Sequence, residues 1–150
     1  MRPVRIFRHQ NWVGAGRIVE MLTRLNLPYE TIAIDRGDNL PTTVDDVSAM
    51  VFLGGTMSVN DPLPWIEGEL SLIREGQERG VPMLGHCLGS QLISKAMGGT
   101  VAPMPAKEIG WHKVARDRNP VADAWLAGLP DDFETRLWHH DALTVPPGAV

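Results

Sequence analysis

The chain contains one cysteine, Cys87, and the residues around it are those of a thiol nucleophile. A short apolar stretch, Val81–Leu84, leads into Gly85-His86-Cys87-Leu88-Gly89, and a helical pattern follows at once. A strand, a turn of the form Gly-x-Cys-x-Gly and a helix make up a nucleophile elbow with cysteine in place of serine. The helix N-terminus behind such a turn offers free N–H groups and partial positive charge, which favour the reactive thiolate.

A lone cysteine is more often a buried apolar residue than a catalytic one. Here Gly85 and Gly89 favour the nucleophile, because residues without a Cβ let the strand and the helix approach closely. We therefore expect Cys87 between a strand and a helix N-terminus, with an unfavourable φ. A single cysteine also excludes an internal disulfide framework and a zinc site built from several cysteines.

The elements that must position this turn alternate between strand and helix. The run Ala49–Leu53 is apolar throughout, which suits a parallel strand buried on both faces. Gly14 and Gly16 precede a helix whose predicted apolar face holds Ile18, Met21, Leu22 and Leu25. The other predicted strands are Val4–Phe7, Tyr29–Ile34 and Val81–Leu84, and the other predicted helices are Trp65–Arg79 and Gly89–Met97.

After Thr100 the pattern changes to two strands, Ile109–Ala115 and Thr135–Trp138, with a short helix near Pro120–Leu126 between them. Alternating strands and helices predict the α/β class, with a parallel (mixed-edge) sheet and helices on both faces.

Composition limits the class of protein. The chain has 150 residues, 43% of them hydrophobic, and a net charge of −4, as expected for one globular domain over residues 1–150. Without a basic surplus, nucleic acid is not an expected partner. No apolar run is long enough to cross a membrane, and the N-terminus lacks a signal-peptide pattern, so we expect a cytoplasmic protein.

Four separated segments resemble class I glutamine amidotransferases, in particular the stand-alone subgroup similar to GMP synthase. They are Gly85–Gln91, Gly54–Asp61, Glu108–Trp111 and Trp138–Ala149. Their order and spacing agree with the family from about Val4 to the last residue, although Thr56 stands where the subgroup often has proline. The resemblance implies the flavodoxin-like fold of class I glutamine amidotransferases.

The resemblance also implies a mechanism and a set of site residues. Cys87 would attack the side-chain amide of glutamine, form a γ-glutamyl thioester and release ammonia, and water would then free glutamate. The N–H groups of Gly55 and Leu88 would form the oxyanion hole. The residues expected to bind the substrate are Gly54, Gln91, His139, His140 and Asp141. No cofactor is implied.

The base that the family uses is a histidine in a Phe-His-Pro-Glu-like segment, beyond the region matched here. We therefore expect the chain to be a fragment lacking the C-terminal part of the domain, or a shortened and inactive relative. His9, His139 and His140 are local substitutes, and the last two are better placed late in the chain on the loop side of the sheet. The simpler interpretation is that they shape the pocket or lie on the surface.

Several alternatives stay open. The same chemistry serves γ-glutamyl peptide hydrolysis, and a chain without its base could be a binding or regulatory module. The partners expected are a small molecule, glutamine or a γ-glutamyl compound, and either a synthase or a second copy of the chain. Metal binding at His139-His140-Asp141 is not expected, since adjacent histidines diverge and no third ligand has suitable spacing.

Overall fold

A computed structural model describes residues 1–149. Its centre is a four-stranded parallel sheet in the order β2-β1-β3-β4, the order of a flavodoxin-like fold. The strands are β1 (Val4–Arg8), β2 (Tyr29–Ala33), β3 (Ala49–Phe52) and β4 (Met83–Gly85). Among the strands of residues 1–149, β4 pairs only with β3, so its other edge is open.

Helices cover both faces of this sheet. Alternate residues of β1 and β3 point to opposite faces, which separates the core into two clusters. On one face, α1 (Arg17–Arg24) packs against Ile6 and Val51. On the other, α2 (Ile66–Glu78) and α3 (Leu88–Ala96) enclose the larger cluster, in which Phe7 and Phe52 stack with ring centroids 4.7 Å apart. The predicted fold class, α/β with a parallel sheet, is confirmed.

The second half of the chain differs in one respect from the expected mixed edge. Strands β5 (Val101–Ala115) and β6 (Asp132–Leu143) pair antiparallel in a separate two-stranded sheet, with α4 (Pro120–Trp125) between them. Both strands are longer than predicted. The Ser94 hydroxyl of α3 donates to the Thr144 carbonyl at 2.7 Å, which helps to tie this hairpin to the main body.

Helix α1 packs through a different stripe from the one predicted. Ile18, Val19 and Leu22 contact the sheet, whereas Met21 and Leu25 are 49% and 56% exposed. The apolar positions of this helix span more of its circumference than one sheet contact can cover. The loop after β2 begins with a 3-10 turn, Ile34–Arg36, so β2 ends one residue earlier than predicted.

None of the helices in residues 1–149 has the length and apolar character that a bilayer span requires.

Candidate active site

Cys87 lies on the sharp turn that joins β4 to α3. Its backbone has φ 54° and ψ −114°, and it is the N-cap residue of α3. A positive φ is unfavourable for a residue with a side chain, so this geometry stores backbone strain. The predicted elbow is confirmed as a structural feature, with the thiol partly exposed at the N-terminal end of the helix.

The two glycines of the motif are required by close backbone packing. A Cβ on Gly89 would lie 2.0 Å from the carbonyl oxygen of Phe52, and a Cβ on Gly85 would lie 2.6 Å from the backbone of Gly89. Neither contact can be relieved by a side-chain rotation, because backbone atoms are on the other side. The predicted close approach of strand and helix is therefore present.

The Gly54–Gly55 segment lies directly beside the elbow. It follows β3, the neighbour of β4, and the His86 N–H donates to the Phe52 carbonyl at 2.9 Å. A Cβ on Gly54 would lie 3.3 Å from the Cβ of Cys87, and one on Gly55 would lie 2.8 Å from Leu88 Cδ2. Within residues 1–149, the N–H groups of Gly55 and Leu88 donate no hydrogen bond. Two unused backbone donors therefore flank the cysteine.

The thiol opens into a cleft of about 330 Å³. Its lining combines the elbow, the segment after β3 and the hairpin. Six of the predicted site residues line it, namely Gly55, Cys87, Gln91, His139, His140 and Asp141. Gly54 and Leu88 are predicted site residues that do not line the cleft. They lie against Cys87 and Gly55 respectively.

The hairpin forms the wall opposite the elbow. The Trp138 carbonyl oxygen is 4.0 Å from Cys87 Sγ, and the Ser58 hydroxyl donates to Asp141 Oδ2 at 2.7 Å. The segment after β3 is thus joined to β6 across the cleft. His139 and His140 lie on the loop side of the parallel sheet as expected, in the same cleft as Cys87, although both belong to a strand because β6 extends to Leu143.

Comparison with known proteins identifies the family. The family described as glutamine amidotransferase class-I matches residues 15–149. The chain belongs to this family. A crystal structure of a glutamine amido transferase from Methylobacillus flagellatus has a TM-score of 0.94 and 41% identity, over 100% of this chain and 60% of that one.

Two curated relatives of this amidotransferase chain support the same family assignment. A glutamine amidotransferase-like protein of Salmonella typhimurium is 25% identical over 138 residues, 89% of this chain and 58% of that protein. A GMP synthase of Thermomicrobium roseum is 37% identical over 106 residues, 66% of this chain and 18% of that protein. The chain therefore spans about three fifths of the first relative and a smaller part of the synthase.

Gln91 presents its side chain to the amidotransferase cleft from the first turns of α3. The residue is only 6% exposed, and its side chain makes no hydrogen bond to another residue of the described chain. Because the Gln91 amide faces the cleft and has no partner in the described part of the protein, it is available to hydrogen-bond a bound molecule.

One histidine–carboxylate pair at the edge of the cleft was not predicted from the sequence. Glu108 and His139 lie directly opposite each other on β5 and β6, with His139 Nε2 2.8 Å from Glu108 Oε2. His139 Nδ1 is 3.1 Å from the Asp141 carbonyl, which can only accept, so Nδ1 carries a proton. Only the strand register, which joins residues far apart in sequence, places these two side chains together.

The cleft also has lining residues that the sequence did not indicate. Lys107 brings a positive charge, and Ile109 and Trp138, half or more exposed, bring apolar surface. Lys107 lies where the β5–β6 register is interrupted between Pro103 and Glu108. In residues 1–149, no group of three or more His, Cys, Asp or Glu side chains could hold a metal ion.

His9 is not available as a substitute base. It is 2% exposed, and its ring nitrogens contact the Leu53 carbonyl and the Glu69 carboxylate. Burial raises the pKa of Glu69, partly offset by the hydrogen bond and charge of His9. The Trp65 ring packs on His9 at 5.0 Å, behind the segment that contains the glycines.

Proposed function

We propose that this chain carries the nucleophile half of a glutaminase site. The thiolate of Cys87 attacks the side-chain carbonyl carbon of glutamine, the C–N bond breaks, and the nitrogen takes up a proton and leaves as ammonia. Water then attacks the γ-glutamyl thioester, which releases glutamate and restores the thiolate. The observation that carries this proposal is the strained position of Cys87, which presents the thiol to the cleft at a helix N-terminus.

The unused N–H groups of Gly55 and Leu88 support an oxyanion hole at this site. They belong to the two segments that meet at Cys87, and neither donates within the described part of the protein. Negative charge that develops on the amide oxygen would be stabilised by such donors, and each donor of this kind contributes about 10²–10³-fold in rate.

The amino-acid end of glutamine would bind farther along the cleft. Gln91 supplies an unpartnered amide, and the Lys107 ammonium and the Asp141 carboxylate supply opposite charges. These charges complement the α-carboxylate and α-ammonium groups of a free amino acid. His139 and His140 complete the wall beside Asp141, and Gly54 supports the oxyanion segment from behind.

The base is proposed to lie outside these 150 residues, in the histidine–glutamate segment that the resemblance implies. The chain spans about 60% of the amidotransferase structure from Methylobacillus flagellatus, so a longer parent protein has room for it. The Glu108–His139 pair is the alternative within the chain, but the His139 ring would have to turn away from the Asp141 carbonyl to free a nitrogen for Cys87.

Ammonia released here would serve an acceptor held by a synthase partner. The support is the 37% sequence identity to the glutamine-hydrolysing GMP synthase of Thermomicrobium roseum. A homo-oligomer and a cytoplasmic location also stay predictions.

The test measures ammonia release from glutamine by the 150-residue chain, by a longer parent chain and by Cys87→Ser in each. The proposal expects the longer chain to be active, Cys87→Ser to abolish its activity, and the short chain to be slower by about 10²–10⁴-fold, the usual effect of losing a general base. If neither chain releases ammonia but the longer one cleaves γ-glutamyl peptides, the peptidase alternative holds. If neither substrate is cleaved, the chain is a binding module and the proposal is wrong.

A further inference from the structure

A second histidine–carboxylate pair is buried beneath the oxyanion segment and has no part in the mechanism above. His9 follows β1, Glu69 lies in α2, and both side chains are fully shielded from solvent. His9 Nε2 is 3.0 and 3.2 Å from the two oxygens of Glu69, and His9 Nδ1 is 3.1 Å from the Leu53 carbonyl oxygen. Trp65 packs on the imidazole ring. Every polar atom of the pair is therefore engaged inside the protein.

The geometry determines where the protons are. The Leu53 carbonyl can only accept, so Nδ1 carries a hydrogen and donates it. A second proton must then lie between Nε2 and Glu69, either as imidazolium with carboxylate or as neutral imidazole with carboxylic acid. Without that proton, the Nε2 lone pair would face an unpaired carboxylate in a site shielded from solvent, which is costly. The pair as a whole is neutral in both allowed forms.

The hydrogen bond of His9 ends on Leu53, the residue just before the glycine segment beside Cys87. Leu53 immediately precedes Gly54 and Gly55, and a Cβ on Gly55 would lie 3.5 Å from His9 Cβ. A Cβ on Gly54 would in turn contact the Cβ of Cys87 at 3.3 Å. The next residue, Thr56, is held separately by Gln10 through two hydrogen bonds of 2.6 and 3.1 Å.

We propose that His9 and Glu69 are positioning residues for the oxyanion hole. Glu69 holds the His9 ring in the orientation with Nδ1–H toward Leu53, and that hydrogen bond sets the place of the Gly55 N–H beside Cys87. This inference rests on the proposed function for its catalytic meaning. The ordering of the glycine segment by the buried pair is a structural claim that can be tested without glutamine.

The test compares variants of Glu69 that differ in hydrogen bonding. Glu69→Gln keeps both bonds in a neutral pair, because the amide donates to Nε2 while Nδ1–H still donates to Leu53. Glu69→Leu fills the space but leaves Nε2 buried without a partner. Glu78→Leu, an exposed glutamate of the same helix, is the matched control.

Two measurements are made on the 150-residue chain. Amide hydrogen exchange at Leu53, whose N–H donates to the Phe7 carbonyl at 3.0 Å, reports the order of the start of the segment by NMR, with β2 amides as the internal reference. The rate of Cys87 alkylation by 6-diazo-5-oxonorleucine, a glutamine analogue, relative to iodoacetamide reports the substrate site, because iodoacetamide needs no oxyanion hole.

Glu69→Leu is expected to speed exchange at Leu53 by about tenfold and to lower the alkylation ratio by about tenfold, the effect of one lost buried hydrogen bond. In both measurements, Glu69→Gln and Glu78→Leu should stay within about threefold of the unsubstituted 150-residue chain. The proposal is overturned if Glu69→Leu exchanges like the parent, or if Glu69→Gln behaves like Glu69→Leu.

If Glu69→Leu fails to fold, two double variants test the positioning role of His9 and Glu69 instead. His9→Asn with Glu69→Leu keeps an amide donor near the position of Nδ1, with its carbonyl oxygen left unpaired, whereas His9→Leu with Glu69→Leu removes the donor. Only the first should protect the Leu53 amide from exchange, and equal protection in both would refute the positioning role. If 6-diazo-5-oxonorleucine alkylates Cys87 of the unsubstituted 150-residue chain no more selectively than iodoacetamide does, the proposed function is refuted instead. The positioning role is still tested in that case, because the exchange measurement does not depend on the proposed function.

Discussion

Gly89 in the first turn of α3 lies so close to Phe52 of β3 that a Cβ on it would come within 2.0 Å of the Phe52 carbonyl oxygen. This contact brings the helix N-terminus over the end of the strand that precedes Gly54 and Gly55. The proximity of Cys87 to the Gly54–Gly55 segment therefore depends on the absence of a side chain at Gly89.

Gly89→Ala should destabilise the fold by about 2–3 kcal/mol, because the methyl group overlaps backbone atoms and forces α3 away from β3. The loss would appear as a lower midpoint in urea unfolding. Gly14→Ala is the control, since a Cβ at Gly14 meets nothing within 4 Å. Equal midpoints for the two variants would show that the close approach is absent.

Cys87→Gly should stabilise the chain relative to Cys87→Ala. Both variants lack the thiol, but glycine adopts φ 54° without strain whereas alanine does not. The expected difference is about 1 kcal/mol in the free energy of unfolding, after allowing for the greater freedom of glycine in the unfolded chain. A Cys87→Ala variant as stable as Cys87→Gly would contradict the strained elbow.

Part of this site could be predicted from local sequence alone. The elbow has a compact signal, with an apolar strand, two glycines at fixed spacing and a helix within a few residues of Cys87. The parallel strands were equally visible, because a run such as Met50–Leu53 is apolar on both faces and the helices between strands are regular. Such patterns need no knowledge of what lies across the fold.

The hairpin and its pairs could not be predicted in this way. β5 contains Pro103 and Pro105 and a register shift, so its first half lacks a strand pattern. Its partner strand begins 17 residues after β5 ends at Ala115, and only their register places Glu108 opposite His139. His9 and Glu69 are 60 residues apart, and neither has a neighbour in sequence that signals their contact.

Asp46 should make stability depend on pH. Its hydrogen bond from Arg5 lowers the pKa of Asp46 below its ordinary value of 3.8. The stabilisation is therefore complete above that value and is lost as the pH falls through the lower pKa of the folded state. Because Asp46 is largely exposed, Asp46→Asn should cost about 1 kcal/mol or less near neutral pH.

The measurement for Asp46 is urea unfolding of the parent chain and Asp46→Asn across acidic and neutral pH. Their difference should shrink below about pH 3.8. Asp117→Asn, at an exposed aspartate, should show no such trend. A difference between the parent and Asp46→Asn that is independent of pH would rule out the ionised pair as its source.

His139→Gln tests whether the base lies within the chain. If the base is elsewhere, as proposed, the substitution in a longer, active parent chain should lower kcat by less than about tenfold, since His139 then only shapes the cleft. Glu108→Gln should have an equally small effect. A loss of 10² or more in kcat for His139→Gln, with unchanged thermal stability, would instead assign general-base catalysis to the Glu108–His139 pair.

The most direct test of the central claim is active-site labelling of Cys87. The 150-residue chain is treated with 6-diazo-5-oxonorleucine in the presence of glutamine or of asparagine, and the modified peptide is identified by mass spectrometry. We expect labelling at Cys87, protection by glutamine but not by the shorter asparagine, and no labelling of Cys87→Ser. Labelling that glutamine does not slow, or that falls on another residue, would contradict a glutamine site built around Cys87.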